Sequence, residues 1–104
     1  MNKILKYELP NLDTGDLREI EMPQGARILG VQTQAELGGF LGPLTAEIPC
    51  VWALVNTEEG KTVRRMFRVY GTGREIKEPL EGLDYIGTVQ TGPFVWHVFE
   101  RKGG

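Results

Sequence analysis

Cys50-Val51-Trp52-Ala53-Leu54-Val55, then Asn56-Thr57-Glu58-Glu59-Gly60, then Lys61-Thr62-Val63-Arg64-Arg65-Met66-Phe67-Arg68-Val69-Tyr70, is the stretch that decides the fold class. The first block is apolar at both parities, as a central strand covered on both faces would be. The middle block is polar and ends in glycine, which suits a chain reversal. The last block alternates, with Val63, Phe67 and Val69 on one side and Arg64, Met66, Arg68 and Tyr70 on the other, the period of a half-buried strand. Together the three blocks predict a β-hairpin.

The same period extends in both directions. Leu5, Tyr7 and Leu9 alternate with Ile4, Lys6 and Glu8. Pro10-Asn11 and 13–16 break the run, and Leu17 to Met22 resumes it, so a first hairpin is expected there. Pro23-Gln24-Gly25 predicts a turn, and Arg27 to Gln34 a third strand. Residues 34–48 read as a long loop carrying Phe40, Leu41 and Leu44. Ala35-Glu36-Leu37 could supply one helical turn, while Gly38-Gly39, Gly42-Pro43 and Pro49 forbid more. Beyond Gly71-Thr72-Gly73, the residues from Arg74 to Leu83 connect to a last hairpin, Tyr85 to Gln90 and Phe94 to Arg101, around Thr91-Gly92-Pro93. The expectation is an all-β domain of about seven antiparallel strands in a small sandwich or partly closed barrel, with at most one short helical turn. It spans residues 1–102, with 103–104 as a flexible tail.

Composition agrees. Of 104 residues, 40% are hydrophobic and 25% charged, both ordinary for a globular chain, and 14 glycines with six prolines are more punctuation than helices tolerate. A net charge of −2 excludes a broad grip on nucleic acid or anionic membrane. The charge is unevenly spread, however. Residues 1–60 hold Lys3, Lys6, Arg18 and Arg27 against Glu8, Asp13, Asp16, Glu19, Glu21, Glu36, Glu47, Glu58 and Glu59. Residues 61–77 hold Lys61, Arg64, Arg65, Arg68, Arg74 and Lys77 against Glu75 alone. No segment approaches the roughly 20 apolar residues of a membrane span, no leader pattern opens the chain, and a single cysteine points to a reducing compartment, so the expected location is cytoplasmic.

Catalytic constellations are hard to assemble. The chain has no serine, so a Ser-His-Asp triad is excluded. Cys50 and His97 could form a dyad only if the fold brought them together, and Cys50 lies in a run that looks buried, where thiols are inert. One His and one Cys cannot seed a metal site without carboxylates, and no carboxylate pair has ligand spacing. The expectation is therefore no catalytic residue, no metal and no cofactor. Candidate anion contacts do exist. Arg64, Arg68 and Tyr70 share a strand face, the two arginines about 13 Å apart along it. Gly71-Thr72-Gly73-Arg74 could line a phosphate with amides, although it lacks the third glycine and the helix of a nucleotide fingerprint. His97 could partner an anion near neutral pH. Trp52 and Trp96 could stack on a base, or serve as core.

The blocks Met22-Pro23-Gln24-Gly25-Ala26-Arg27-Ile28-Leu29, Trp52-Ala53-Leu54-Val55, Gly71-Thr72-Gly73, Tyr85-Ile86-Gly87-Thr88 and Val95-Trp96-His97-Val98-Phe99-Glu100 together resemble a family of short phage and prophage proteins of unknown function. Arg74 stands where the resemblance leads one to expect a histidine, and the 34–48 connection looks longer than usual. The resemblance implies a phage setting. There, a small protein without a catalytic set would bind a host defence protein or sequester an anionic, nucleotide-like small molecule. A virion or assembly component, which a homo-oligomer would suit, is the alternative. A ubiquitin-like modifier using Gly103-Gly104 is a weaker one, because the sequence lacks the long helix of a β-grasp.

Overall fold

The computed structural model describes residues 1–9, 17–37 and 44–103, with the backbone alone for 35–37 and 44–47. Among the described residues seven strands form, β1 (Asn2–Glu8), β2 (Arg18–Pro23), β3 (Arg27–Leu37), β4 (Leu44–Asn56), β5 (Thr62–Gly71), β6 (Leu83–Thr91) and β7 (Phe94–Arg101), with a 3₁₀ turn at Leu80–Gly82. They build two antiparallel sheets, ordered β1-β4-β3 and β2-β5-β7-β6. The all-β sandwich expected from the alternation is the fold observed.

The alternation is realised as an inner and an outer face on each sheet. Met22, Phe67, Val69, Val89 and Val98 of the four-stranded sheet are buried in one core with Val31, Val51, Ala53 and Val55 of the three-stranded sheet. Between these faces the sheets meet closely where β3 crosses β6. A Cβ on Gly87 would lie 2.8 Å from Val31 Cγ1, nearer than real side-chain carbons approach, so only glycine lets β6 settle there.

Two expected hairpins are corrected. β1 and β2 do not pair, and neither do β4 and β5: in each case the chain leaves one sheet and joins the other. Between β4 and β5 the expected turn forms at Thr57 and Glu58. Whether the returning strand hydrogen-bonds beside its predecessor or crosses to the facing sheet is a separate matter. The stretch from Asn56 to Lys61 can bridge the roughly 10 Å between packed sheets, so β4 and β5 lie in facing sheets and send Val51, Ala53, Val55, Phe67 and Val69 into one core instead of sharing a ladder. The last hairpin forms as expected, its turn carrying Gly92 at φ 56°, the positive angle required at the first central position of a tight type II′ turn.

Residues 34–48 are corrected as well. β3 and β4 continue to Leu37 and from Leu44, paired from Arg27↔Leu54 to Leu37↔Leu44, so the expected long loop is mostly ladder and Ala35-Glu36-Leu37 is strand. Glycines and prolines masked a β-hairpin whose polar residues weaken the alternation. The expected positions of Phe40 and Leu41, the turn at 10–16 and Gly104 fall outside the described residues. β4 is central, and its two faces are covered unequally: Val51, Ala53 and Val55 are buried, while of the other parity Cys50 is buried and Trp52 and Leu54 are only partly so.

Candidate functional site

The outer face of the four-stranded sheet gathers most of the candidate residues. The ladders place Arg68 opposite Phe99 and Phe99 opposite Tyr85, and beside that row Tyr70 opposite His97 and His97 opposite Thr88. Six side chains from β5, β7 and β6 thus make a two-row grid. A bulge between Tyr85 and Gly87 makes it possible: the extra residue, Ile86, packs against the core and allows both Tyr85 and Thr88 to face outward despite their opposite parity.

Each member is fixed by neighbours. Phe99 meets the edges of Tyr70 and Tyr85, with ring centroids 6.0 and 5.5 Å away. His97 bonds Thr72 Oγ1 through Nε2 at 2.8 Å and Thr88 Oγ1 through Nδ1 at 3.0 Å. Which threonine donates and which accepts depends on the tautomer of the ring. Tyr85 OH in turn bonds Thr88 Oγ1. Glu78, from the connection between β5 and β6, lies over the grid and takes hydrogen bonds from Arg68 Nε at 2.7 Å and Tyr70 OH at 2.9 Å.

Partial burial, the hydrogen bond to Glu78 and the charge of that carboxylate together raise the Tyr70 phenol above its ordinary value, with nearby Arg68 opposing them. A phenol whose pKa is raised by folding stabilises the folded state fully below its unfolded value and loses that contribution as pH rises through the folded one. The stability carried by Tyr70 should therefore persist through neutral pH and disappear only in alkali above the ordinary tyrosine range. Near-ultraviolet titration of the wild type minus Tyr70→Phe should show this group ionising late; an ordinary tyrosine titration would contradict the Glu78 contact.

The other candidates divide. Arg64 shares this face but stands away from the grid, opposite Glu21 of β2, whose carboxylate is 4.0 Å away. In the 71–74 turn the Thr72 amide donates to the Val95 carbonyl and the Arg74 amide to that of Gly71, so two of the donors expected to line a phosphate are engaged. Gly73, at φ 89°, is there for the turn. Gly71 points inward, where a Cβ would meet the Trp96 ring at 3.3 Å and the Arg74 stem at 3.6 Å, so Arg74 belongs to the rim by Trp96 and not to the grid. Trp96 donates to Thr91 Oγ1 at 2.7 Å and packs on the core, and Trp52 lies on the other sheet. Cys50, also on that sheet, is buried with its thiol against the Ile48 carbonyl, and His97 has threonines on both ring nitrogens, so the structure does not bring the dyad together.

Four participants escaped the sequence reading: Phe99, Tyr85, Thr88 and Glu78. The last hairpin's register contained the signal for Thr88 opposite His97, whereas the bulge and the β5–β7 pairing, which bring Tyr85 and Tyr70 alongside, leave no local trace. Arg65 also escaped. It points to the core side, where its guanidinium forms a two-pronged ion pair with Glu100 and donates through Nη1 to the Ala26 carbonyl at 2.8 Å.

Among the described residues no group of three or more His, Cys, Asp or Glu is placed to hold a metal ion, and no helix is long and apolar enough to cross a membrane. No curated protein and no solved structure shows significant similarity to this chain. A family model does match, along residues 1–104, and the chain belongs to the family it describes, the domain of unknown function DUF7352.

Proposed function

We propose that this protein is a non-catalytic binding module that engages a protein partner through the outer face of its four-stranded sheet. The observation that carries the reading is the grid itself: Tyr85 is exposed, yet its ring rests on Phe99 and its hydroxyl is held by Thr88. Rigid aromatic groups of this kind lose little entropy on binding and dominate the energetics of protein interfaces, together with arginine. Charge separates this from sequestration of an anionic small molecule. Arg68 is held by Glu78 at 2.7 Å, so a phosphate at the grid would have to displace that carboxylate. In the phage setting implied by the resemblance, the partner would be a host defence protein whose working surface is covered.

Quantitative affinity capture from cells expressing the tagged protein tests the reading. A partner recovered by the wild type should fall by about tenfold or more with Tyr85→Ala plus Phe99→Ala, as loss of central interface aromatics does. Ile4→Ser, on the opposite sheet, should retain it. Equal recovery by the aromatic variant and the wild type would overturn the proposal.

The assembly alternative rests on a different feature. Among the described residues β1 pairs only with β4, which leaves its other edge without a ladder partner beside exposed Ile4 and Leu5, a surface on which copies could add strand to strand.

A further inference from the structure

The ladder between β5 and β7 stops short. It runs from Gly71↔Trp96 to Phe67↔Glu100, although β5 begins at Thr62 and stays paired with β2 back to Pro23↔Thr62. Beyond Glu100 the chain follows β6 instead, through Leu83↔Arg101 and a Lys102 amide bond to the Gly82 carbonyl at 2.8 Å. The strands therefore part, and among the described residues the β7-side edge of residues 62–66 has no ladder partner. Between them lies a cleft of about 230 Å³, lined by Arg64, Arg65 and Met66 on one side and by Asp84, Glu100, Arg101, Lys102 and Gly103 on the other. One water needs only about 10–15 Å³ of such space, so the cleft is larger than a hydration void.

Its charge is positive. Glu100 is committed to Arg65 and Asp84 to Lys102, which is 3.5 Å away. That leaves Arg64, held only by the distant Glu21, and Arg101, which has no ion-pair partner among the described residues. Both lie at outward positions of their strands, Arg64 opposite Glu21 and Arg101 two residues past Phe99. An open strand edge asks for an extended backbone, and two exposed guanidinium groups on one face ask for carboxylates at alternate positions.

We propose that this cleft is a second recognition site, which takes an acidic, extended peptide segment as a strand added to the free half-edge of β5. It goes beyond the aromatic grid and does not depend on it. The ligand chemistry is specific: backbone amides and carbonyls for the edge, carboxylates at every second residue for Arg64 and Arg101, and no proline within the paired stretch.

Fluorescence anisotropy on the full chain, with a short blocked peptide of alternating glutamate and threonine, tests this. Binding should weaken by about fivefold or more with Arg101→Glu, again with Arg64→Glu, and with rising salt. A glutamine-for-glutamate peptide should bind at least about tenfold more weakly. N-methylation of alternate amides should abolish binding in one of its two registers, since only one set faces the β5 edge. Tyr85→Ala should leave the peptide affinity unchanged, which separates this site from the grid. Equal affinity for the glutamate and glutamine peptides would overturn the proposal, and so would acidic binding indifferent to N-methylation in both registers.

Discussion

Replacing Phe67 by alanine is expected to lower the unfolding free energy by about 4 kcal/mol, within the range of roughly 3–5 for a buried Phe→Ala change. Phe67 is fully buried near the middle of β5, between β2 and β7, and joins the inner faces of both sheets. Removing its ring forfeits the transfer of that apolar surface from water. It also leaves a void that β-strands held by ladders on both sides cannot close. Small domains hold only about 5–15 kcal/mol in all, so the variant should sit close to unfolding. Urea denaturation should show a much lower midpoint with an unchanged slope. An unaltered midpoint would mean that the inner face of β5 is not core.

The second large effect is expected at Arg65. Its guanidinium grips Glu100 with two nitrogens and the Ala26 carbonyl with the third, so one side chain ties the start of β3 in one sheet to β5 and β7 in the other. The pair is mostly withdrawn from water, with 20% and 14% of the two side chains exposed. The hydrogen bond to Glu100 and its charge raise the Arg65 pKa against the opposing effect of burial, so the group stays charged wherever the protein is folded. Arg65→Ala leaves a carboxylate unpaired at the core rim and a carbonyl without its donor. Breaking a fully buried pair costs roughly 3–5 kcal/mol, and the residual exposure here brings the expected loss to about 2–3. The double replacement Arg65→Met with Glu100→Leu removes both charges and should recover most of it. A single variant as stable as the wild type would show that the pair is a solvated surface contact.

The strands were legible because inner and outer residues alternate strictly where one face is buried. Phe67 and Val69 against Arg68 and Tyr70 needed nothing but period two. The pairing of strands was legible only for the last hairpin, β6 with β7. Asn56 to Lys61 spells a reversal whether β5 lies beside β4 or in the facing sheet, and only the burial of Val51, Ala53 and Val55 in one core with Phe67 and Val69 selects the second. For the site, Arg64, Arg68, Tyr70 and His97 were found as outward or titratable residues, and the structure places all four on one outer face. Arg74 was drawn in by its neighbour glycines and in fact lines the Trp96 rim. Glu78 could not be foreseen, since it reaches Arg68 and Tyr70 from a connection without periodicity.

The central claim, that the outer face of the four-stranded sheet is the surface a partner covers, is tested most directly by hydroxyl-radical footprinting of the protein alone and with its captured partner. Three side chains of matched exposure report on three regions: Tyr85 at 61% on the grid, Ile4 at 60% on the edge strand of the other sheet, and Phe94 at 61% beside the last turn. The expected result is strong protection of Tyr85 in the complex, with Ile4 and Phe94 oxidised as before. Protection of Ile4 with Tyr85 still reactive would contradict the claim and move the interface to the three-stranded sheet.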